Sequence, residues 1–515
     1  MFTEKDLIQI NEKGIKPDQV EKQIKYFIKG FPYINLCSPA TIENKGIVCL
    51  SNDQIKQFNN DFKEVILKRN VIKFVPASGA ASRMFKTLFL FNKKYDGSES
   101  SYNDFLNDKS SNSTYRFISE IKKFAFYKDL KNIMSTENID IDKCIDHKEY
   151  NTIIDFLLSA KGLNYSSLPK GLLKFHNYEG YSRTAFEEHF VEAADYSRNA
   201  DNHATIHFTI SPEHIEKFNS LTKLVLSKYE KKHKVKYNVS YSVQKPSTDT
   251  IAVDMNNEPF RENDGSLFFR PGGHGALLEN LNDIKGDIVF IKNIDNIVPD
   301  RLKHETYLYK KALAVYLIEI QEKIHSYLKI LNTGNAENDL ISEIITFAIE
   351  KLSISEKNIS GFDNNEKINF LFTKLNRPIR ICGMVKNEGE PGGGPFWVKD
   401  SKGEISLQIV ESSQINLEDA SQKEIFNNST HFNPVDLVCG VKDFVGNNFD
   451  LTKYTDPETG FISVKSKDGK DMKALELPGL WNGAMANWTT IFVEVPAITF
   501  NPVKTINDLL RNEHQ

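Results

Sequence analysis

The sequence is short of cysteine and has no excess of positive charge, and both shortages exclude something. Its 515 residues carry five cysteines, Cys37, Cys49, Cys144, Cys382 and Cys439. The number is odd, the spacing is wide and no CxxC pair occurs, which argues against a disulfide framework or a zinc site and favours a reducing cytoplasm. Lys and Arg number 65 against 69 Asp and Glu, a formal net charge of −4. Without a basic excess, broad nucleic-acid binding through phosphate neutralisation is not expected, and only a local basic pocket stays open. No run approaches the roughly 18 apolar residues that a membrane helix needs. The opening MFTEKDLIQINEKGIKPDQ lacks the apolar core of a signal sequence, and there is no repeat of about 20–50 residues. The expectation is a soluble cytoplasmic protein without a nucleic-acid or membrane partner.

What is present is ordinary globular material, 40% hydrophobic and 26% charged, with length enough for a large core. Residues 1–70 have helical patterns, with Ser51 able to cap a helix through Lys68 whose apolar face is Ile55, Phe58, Phe62, Val65 and Ile66. A buried strand is expected at Val71 to Val75, and the small-residue turn Pro76 to Ser82 follows it. Residues 92–165 form a helical insertion whose serine-rich piece, Gly97 to Ser113, is expected to be exposed. Strand–helix–strand alternation then resumes with strands at Ala204 to Ile210, Tyr237 to Val243 and Asp287 to Lys292. Residues 305–355 contain two long helices, a second insertion. From Ile379 the chain turns β-rich, with a flexible loop at residues 389–394 and strands at Gly403 to Glu411, Pro434 to Val441 and Thr490 to Val495. Such alternation predicts a mainly parallel sheet covered on both faces.

Six constellations could carry chemistry, and each has a plain structural alternative. The turn Pro76-Ala-Ser-Gly-Ala-Ala-Ser-Arg83 either lets backbone N–H groups approach an anion, with Arg83 adding a forked contact, or is a tight strand–helix crossover. Pro169-Lys170-Gly171, upstream of Glu187-Glu188-His189, holds a lysine that reaches a phosphate or is solvated. Gln244, at a strand end, matches a nucleobase edge or is a polar terminus. Pro271-Gly272-Gly273-His274-Gly275 opens a short helix, and the strand after it delivers Asp295 between two asparagines. That carboxylate is either a metal ligand at the edge of an open sheet or a cap for the next element. Glu411 ends an alternating strand and either accepts from sugar hydroxyls or sits in water. Lys504, held by the preceding Pro502, is a second phosphate-directed lysine or a solvated charge.

Taken in order, these motifs resemble the sugar nucleotidyltransferases, and within them the UDP-sugar pyrophosphorylases. The family's L-x-G-G-x-G-T-R-L loop aligns with Pro76 to Met84, its P-K-G turn with Pro169-Lys170-Gly171, and its base-reading glutamine with Gln244. Its P-x-G-H-G motif matches Pro271 to Gly275, and its N-x-D-N metal turn matches Asn293-Ile294-Asp295-Asn296. Its G-K-x-x-x-x-E strand resembles Gly403 to Glu411, and its late P-V-K-T-x-x-D-L-L matches Pro502 to Leu510. The whole chain also looks like an uncharacterised bacterial family of this fold. Two loop glycines are replaced, by Ser78 and Ala81, and a β-carbon at Ala81 is expected to bar the φ > 0 conformations that glycine allows.

The resemblance implies an α/β fold of the nucleotide-diphospho-sugar transferase type (GT-A, Rossmann-like), a mixed, mainly parallel sheet flanked by helices. It places a helical segment at 1–70 before a catalytic domain at 71–511, with insertions at about 92–165 and 305–355. It implies transfer of a nucleotide, UTP by resemblance, to a sugar 1-phosphate with release of pyrophosphate. The roles it assigns are Arg83, Lys170 and Lys504 for charge neutralisation, and Ser78, Gly79, Ala80, Ser82, Gln244, Gly273, His274 and Gly275 for nucleotide binding. Gly383 and Glu411 would line the sugar site, and Asp295 and Asp436 would hold Mg²⁺. The alternatives are a glycosyltransferase of the same fold, which normally uses a D-x-D pair that Ile294-Asp295-Asn296 lacks, and a non-catalytic nucleotide-sugar-binding protein.

Overall fold

The computed structural model describes residues 2–355, 359, 361–389, 393–433 and 436–515. The fold is mixed α/β, and the chain divides into two compact units. The first comprises Met1–Phe74, Ser242–Ile291 and Tyr309–Val495; the second comprises Val75–Tyr241, Lys292–Leu308 and Pro496–Gln515.

In the first unit a sheet runs His431–Phe432, Ile379–Lys386, Asp436–Gly440, Ile288–Lys292, Val71–Pro76, with Thr489–Glu494 also beside Ile379–Lys386. Val71–Pro76 pairs parallel with Ile288–Lys292 (Val71 opposite Ile288), and Ile379–Lys386 pairs parallel with Thr489–Glu494. Ile379–Lys386 is antiparallel to Asp436–Gly440, so the sheet is mixed. Its strands are continuous apolar runs because both faces are covered: Val71, Ile72, Phe74, Ile288, Val289, Phe290 and Ile291 are all buried. The helices Lys303–Leu331 and Asn338–Leu352 correspond to the two expected over 305–355.

Two antiparallel sheets in this unit were not expected as sheets, although the strand expected at Gly403 to Glu411 is present as Ile405–Glu411 in the first. Asn35–Pro39, inside a stretch expected to be helical, pairs with Gly393–Lys399, which pairs with Ile405–Glu411. Gly393 and Gly394, expected in a flexible loop, therefore begin a strand; the rest of that glycine run at 390–392, and 434–435 of an expected strand, lie outside the described residues. The other sheet runs Phe461–Lys467, Lys470–Glu476, Thr250–Val253, Phe269–Arg270. The amphipathic helices Glu4–Glu12 and Pro17–Lys29 cover it, burying Ile10, Val20, Ile24 and Phe27 against Ile251, Val253 and Leu475. Ser51 caps Asn52–Ile66 in a reciprocal box with Gln54, and Ile55, Phe58, Phe62 and Ile66 are its buried face.

The second unit packs around Phe117, Phe126, Phe175, Phe186, Phe208 and Phe218, with strand His203–Thr209 beside Lys236–Ser242. The insertion is helical, from Glu99–Asn107 to Tyr150–Leu158. Its serine-rich piece is not wholly exposed. Phe105 is in the core, and Ser113 is buried as the cap of Thr114–Ser119, its carbonyl accepting from Asn507 Nδ2 at 2.9 Å. Helix Ala185–Tyr196 is buried nearly all round and carries Glu187, Glu188, His189 and Glu192 into the interior. Among the described residues no helix is long and apolar enough to cross a membrane.

Candidate functional site

In the second unit four sequence-distant segments are stitched to one another. Strand Val71–Pro76 ends at a turn whose Ala77 N–H donates to the Thr209 carbonyl at 2.9 Å. The Ala81 N–H donates to the Leu168 carbonyl, and the Lys170 N–H donates to the Gly79 carbonyl, both at 3.2 Å. These bonds fix the turn against Pro169-Lys170-Gly171. A β-carbon at Gly171 would be a tight fit, 3.1 Å from the Phe218 ring and 3.3 Å from Ile294. The Ile294 N–H donates to the Pro76 carbonyl, and the Val503 N–H donates to the Asp295 carbonyl, both at 3.2 Å. Asn296 Oδ1 accepts from the Asn501 N–H at 2.9 Å.

At the junction the Lys170 ammonium donates to Asp295 Oδ2 at 2.7 Å and to the Val503 carbonyl at 2.6 Å. Both side chains are largely buried, 14% and 10% exposed, so the pair is weakly screened and rigidly held. Ser78, Gly79, Ala80, Ser82 and Arg83 are exposed, and among the described residues the N–H groups of Ser78, Gly79, Ala80 and Ser82 have no protein acceptor. Arg83 lies in the 3₁₀ turn Ser82–Phe85, and among the described residues it makes no ion pair. Lys504 is likewise exposed, its own N–H donating to Asp508 Oδ2 at 2.7 Å. Ala81 has φ −79° and ψ −8°, a right-handed conformation open to any residue, so the expected barrier to a β-carbon does not arise at this position.

The remaining sequence-assigned residues fall in the first unit. The glycines around His274 face protein. A β-carbon at Gly275 would lie 2.0 Å from the Pro478 carbonyl oxygen, one at Gly272 would lie 2.7 Å from the Thr248 carbonyl oxygen, and Gly273 has φ +78°. His274 Nδ1 accepts from the Leu480 N–H at 3.1 Å, and its ring stacks on Trp481 with centroids 4.3 Å apart. Burial holds the imidazole below its usual pKa, with the nearby Glu411 carboxylate opposing, so the ring is neutral with its proton on Nε2. Glu411 Oε1 accepts from Asn482 Nδ2 at 2.9 Å. Gln244 is half-buried just beyond strand Lys236–Ser242, and Gly383 is buried in Ile379–Lys386, where a β-carbon would touch Val495. Asp436 is buried and ion-paired with the fully buried Lys310.

Among the described residues no group of three or more His, Cys, Asp or Glu side chains could hold a metal ion. Asp295 nonetheless fits Mg²⁺, because that ion keeps several waters and takes substrate phosphates beside one or two carboxylates. Only Oδ2 is engaged by Lys170, and among the described residues Oδ1 accepts no hydrogen bond. Asp436 is likewise ion-paired, with Lys310, and is the more deeply buried of the two carboxylates. A cavity of about 850 Å³ in the first unit, lined by residues including Lys374, Arg377, Gln408 and Trp488, contains none of the sequence-assigned residues. Cavity size therefore does not mark that chemistry.

The signature of one family, described as Domain of unknown function (DUF4301), matches residues 3–515. The chain belongs to this family. No curated protein matches it. Among solved structures, UDP-glucose pyrophosphorylase from Leishmania major is similar at 12% identity and TM-score 0.43, over 98% of this chain and 77% of that one. UDP-glucose phosphorylase from Trypanosoma brucei is similar at 13% identity and TM-score 0.43, with the same coverage. UDP-N-acetylglucosamine pyrophosphorylase from Trypanosoma brucei is similar at 12% identity and TM-score 0.44, over 92% of this chain and 72% of that one.

Several residues of these clusters were not singled out from sequence. Trp481 and Asn482, which hold His274 and Glu411, follow a Leu-Pro-Gly-Leu stretch without a periodic signal. His189, whose Nε2 donates to the Ile294 carbonyl at 3.2 Å, stands in the Glu187-Glu188-His189 segment after the Pro-Lys-Gly turn without a role of its own in the sequence pattern. The Val503 carbonyl is backbone, which side-chain motifs cannot reveal.

Proposed function

We propose that the chain is a sugar-1-phosphate nucleotidyltransferase of the GT-A type that uses UTP and works in the cytoplasm. The observation that carries the proposal is Lys170 held between Asp295 and the Val503 carbonyl, beside a turn with undonated N–H groups. A phosphate monoester is largely dianionic at neutral pH, its second pKa being about 6, so its oxygen attacks the α-phosphorus in line without a general base. The bond from that oxygen to phosphorus forms as the bond to pyrophosphate breaks, and pyrophosphate leaves with the electron pair. The protein's task is positioning and charge neutralisation. The N–H groups of Ser78 to Ser82 and the Arg83 guanidinium would take the triphosphate, and Lys170 and Lys504 would steer the nucleophile and offset developing charge. Mg²⁺, when bound, supplies further neutralisation of the phosphates, and Asp295 would hold it. Gln244, Gly273 and His274 would contact base and ribose, and Glu411 the sugar hydroxyls. All five cysteines are free, which fits a reducing compartment.

Purified protein with Mg²⁺, UTP and a panel of sugar 1-phosphates is expected to release pyrophosphate. Lys170→Ala and Asp295→Ala are each expected to lower the rate about a hundredfold or more. Unchanged release in both variants would sink the site assignment. Release of UDP in place of pyrophosphate would mark a glycosyltransferase. Calorimetric binding of UDP-sugars without turnover would mark a binding protein.

A further inference from the structure

The second unit contains a buried relay that ends on the segment bearing Lys504. Glu188 is fully buried, and its Oε2 accepts from Lys303 Nζ at 2.6 Å and from Arg183 Nη1 at 3.1 Å. Its Oε1 accepts from the Tyr178 hydroxyl at 2.7 Å and faces His176 Nδ1 at 2.9 Å. His176 Nε2 faces His514 Nδ1 at 3.0 Å, and His514 Nε2 faces Arg511 Nη2 at 3.3 Å. The same Arg511 nitrogen donates to the Pro502 carbonyl at 2.7 Å. Pro502 adjoins Val503, whose carbonyl receives Lys170, and Lys504 follows it.

One proton on each ring satisfies the contacts of His176 and His514 with Glu188, with each other and with Arg511. The Glu188 carboxylate is acceptor-only, because Lys303, His176 and Arg183 outweigh its burial and hold its pKa well below the usual range. His176 must then donate from Nδ1, which leaves Nε2 of the neutral ring as an acceptor. His514 must donate from Nδ1, which leaves its Nε2 free to accept from Arg511. A second proton on either ring sets two donors face to face. Burial depresses both imidazoles, aided at His514 by His176 and Arg511 against a backbone hydrogen bond with Asn501, and aided at His176 by Lys303 and Arg183 against the pull of Glu188.

We propose that His514 is a positioning residue: through the relay Glu188–His176–His514–Arg511 it fixes the Pro502–Lys504 strip, and with it the Lys170 contact and the Lys504 ammonium. In the proposed reaction both lysines act on phosphate, and this assignment rests on that reading.

Amide hydrogen exchange on the full chain tests it without needing turnover. In His514→Leu, the amides of Asn501, Val503, Lys504 and Thr505 are expected to exchange about tenfold faster or more. His514→Asn keeps a donor near the Nδ1 position and is expected to restore most of that protection. Native exchange in His514→Leu, or equal loss in both variants, would overturn the proposal. Should the variants not fold, nitrogen-15 spectra of histidine-labelled native protein decide, with His176 and His514 both expected to be protonated on Nδ1 and neutral at pH 7.5. Nε2 protonation at either ring would overturn it. A relay seen by exchange and spectra, in a chain that releases no pyrophosphate, would leave the relay standing and remove the reaction.

Discussion

At Gly275 a methyl group would stand 2.0 Å from the Pro478 carbonyl oxygen, whereas at Gly79 it would meet nothing within 4 Å. Both glycines belong to motifs that the sequence assigns to nucleotide, yet packing demands only the first. Gly275→Ala must push two backbone segments apart, and is expected to cost about 2–3 kcal/mol, seen as a lowered thermal midpoint. Gly79 has no positive φ, so Gly79→Ala is expected to leave stability within about 0.5 kcal/mol. If its turn receives a triphosphate, that same substitution weakens UTP binding by calorimetry while the melt stays put. A melt that falls as far for Gly79→Ala as for Gly275→Ala would contradict the contrast. Ala81 shows why residue identity alone misleads: replacement of a family glycine looked like a conformational obstacle, but its φ of −79° needs no glycine.

At the scale of elements, what was legible followed local signals. Val71–Pro76 and Ile288–Lys292 are apolar runs bounded by turn residues, and Asn52–Ile66 carries a cap with an apolar stripe, so each was readable within one or two residues. The strand Asn35–Pro39 was not, because its pairing with Gly393–Lys399 is set by a partner far along the chain and its sequence, NLCSP, has no alternation. The candidate site divides in the same way. Lys170, Asp295 and Lys504 stood in motifs, but the Val503 carbonyl that joins Lys170 to the late segment has no sequence signature. Asp436 was legible as a carboxylate after a strand start, while its partner Lys310 sits mid-helix in an apolar stretch. That buried pair makes its own prediction. Lys310→Met strands a carboxylate in the core and is expected to cost about 3–5 kcal/mol in urea unfolding. Adding Asp436→Leu is expected to recover most of the loss, and a double variant no more stable than the single would reject the pair as the cause.

Across the whole molecule, burial of ionisable groups gives stability a definite dependence on pH. The folded chain holds His176, His233, His274, His325 and His514 below the ordinary histidine value, in each case chiefly through burial. An unfolded histidine takes up its proton near pH 6.5, so below that pH the unfolded state binds more protons and folding weakens. The stabilisation from these rings is therefore complete above about pH 7 and lost as pH falls from 6.5 toward their folded pKa values, at up to about 1.4 kcal/mol per pH unit for each ring. Glu188 adds a second, lower wave. Its folded pKa lies well below the usual carboxylate range, so its contribution persists above about pH 4.5 and goes as the pH drops through the acid range. Urea unfolding at pH 8, 7, 6 and 5 is thus expected to show a plateau between the first two and a progressive loss at the last two. In His514→Asn, which cannot titrate at that position, the loss between pH 7 and 5 is expected to be shallower than in the native chain. A stability that stays level from pH 8 to 5 would show that these rings take up protons while folded, and that the neutral relay between His176 and His514 does not persist.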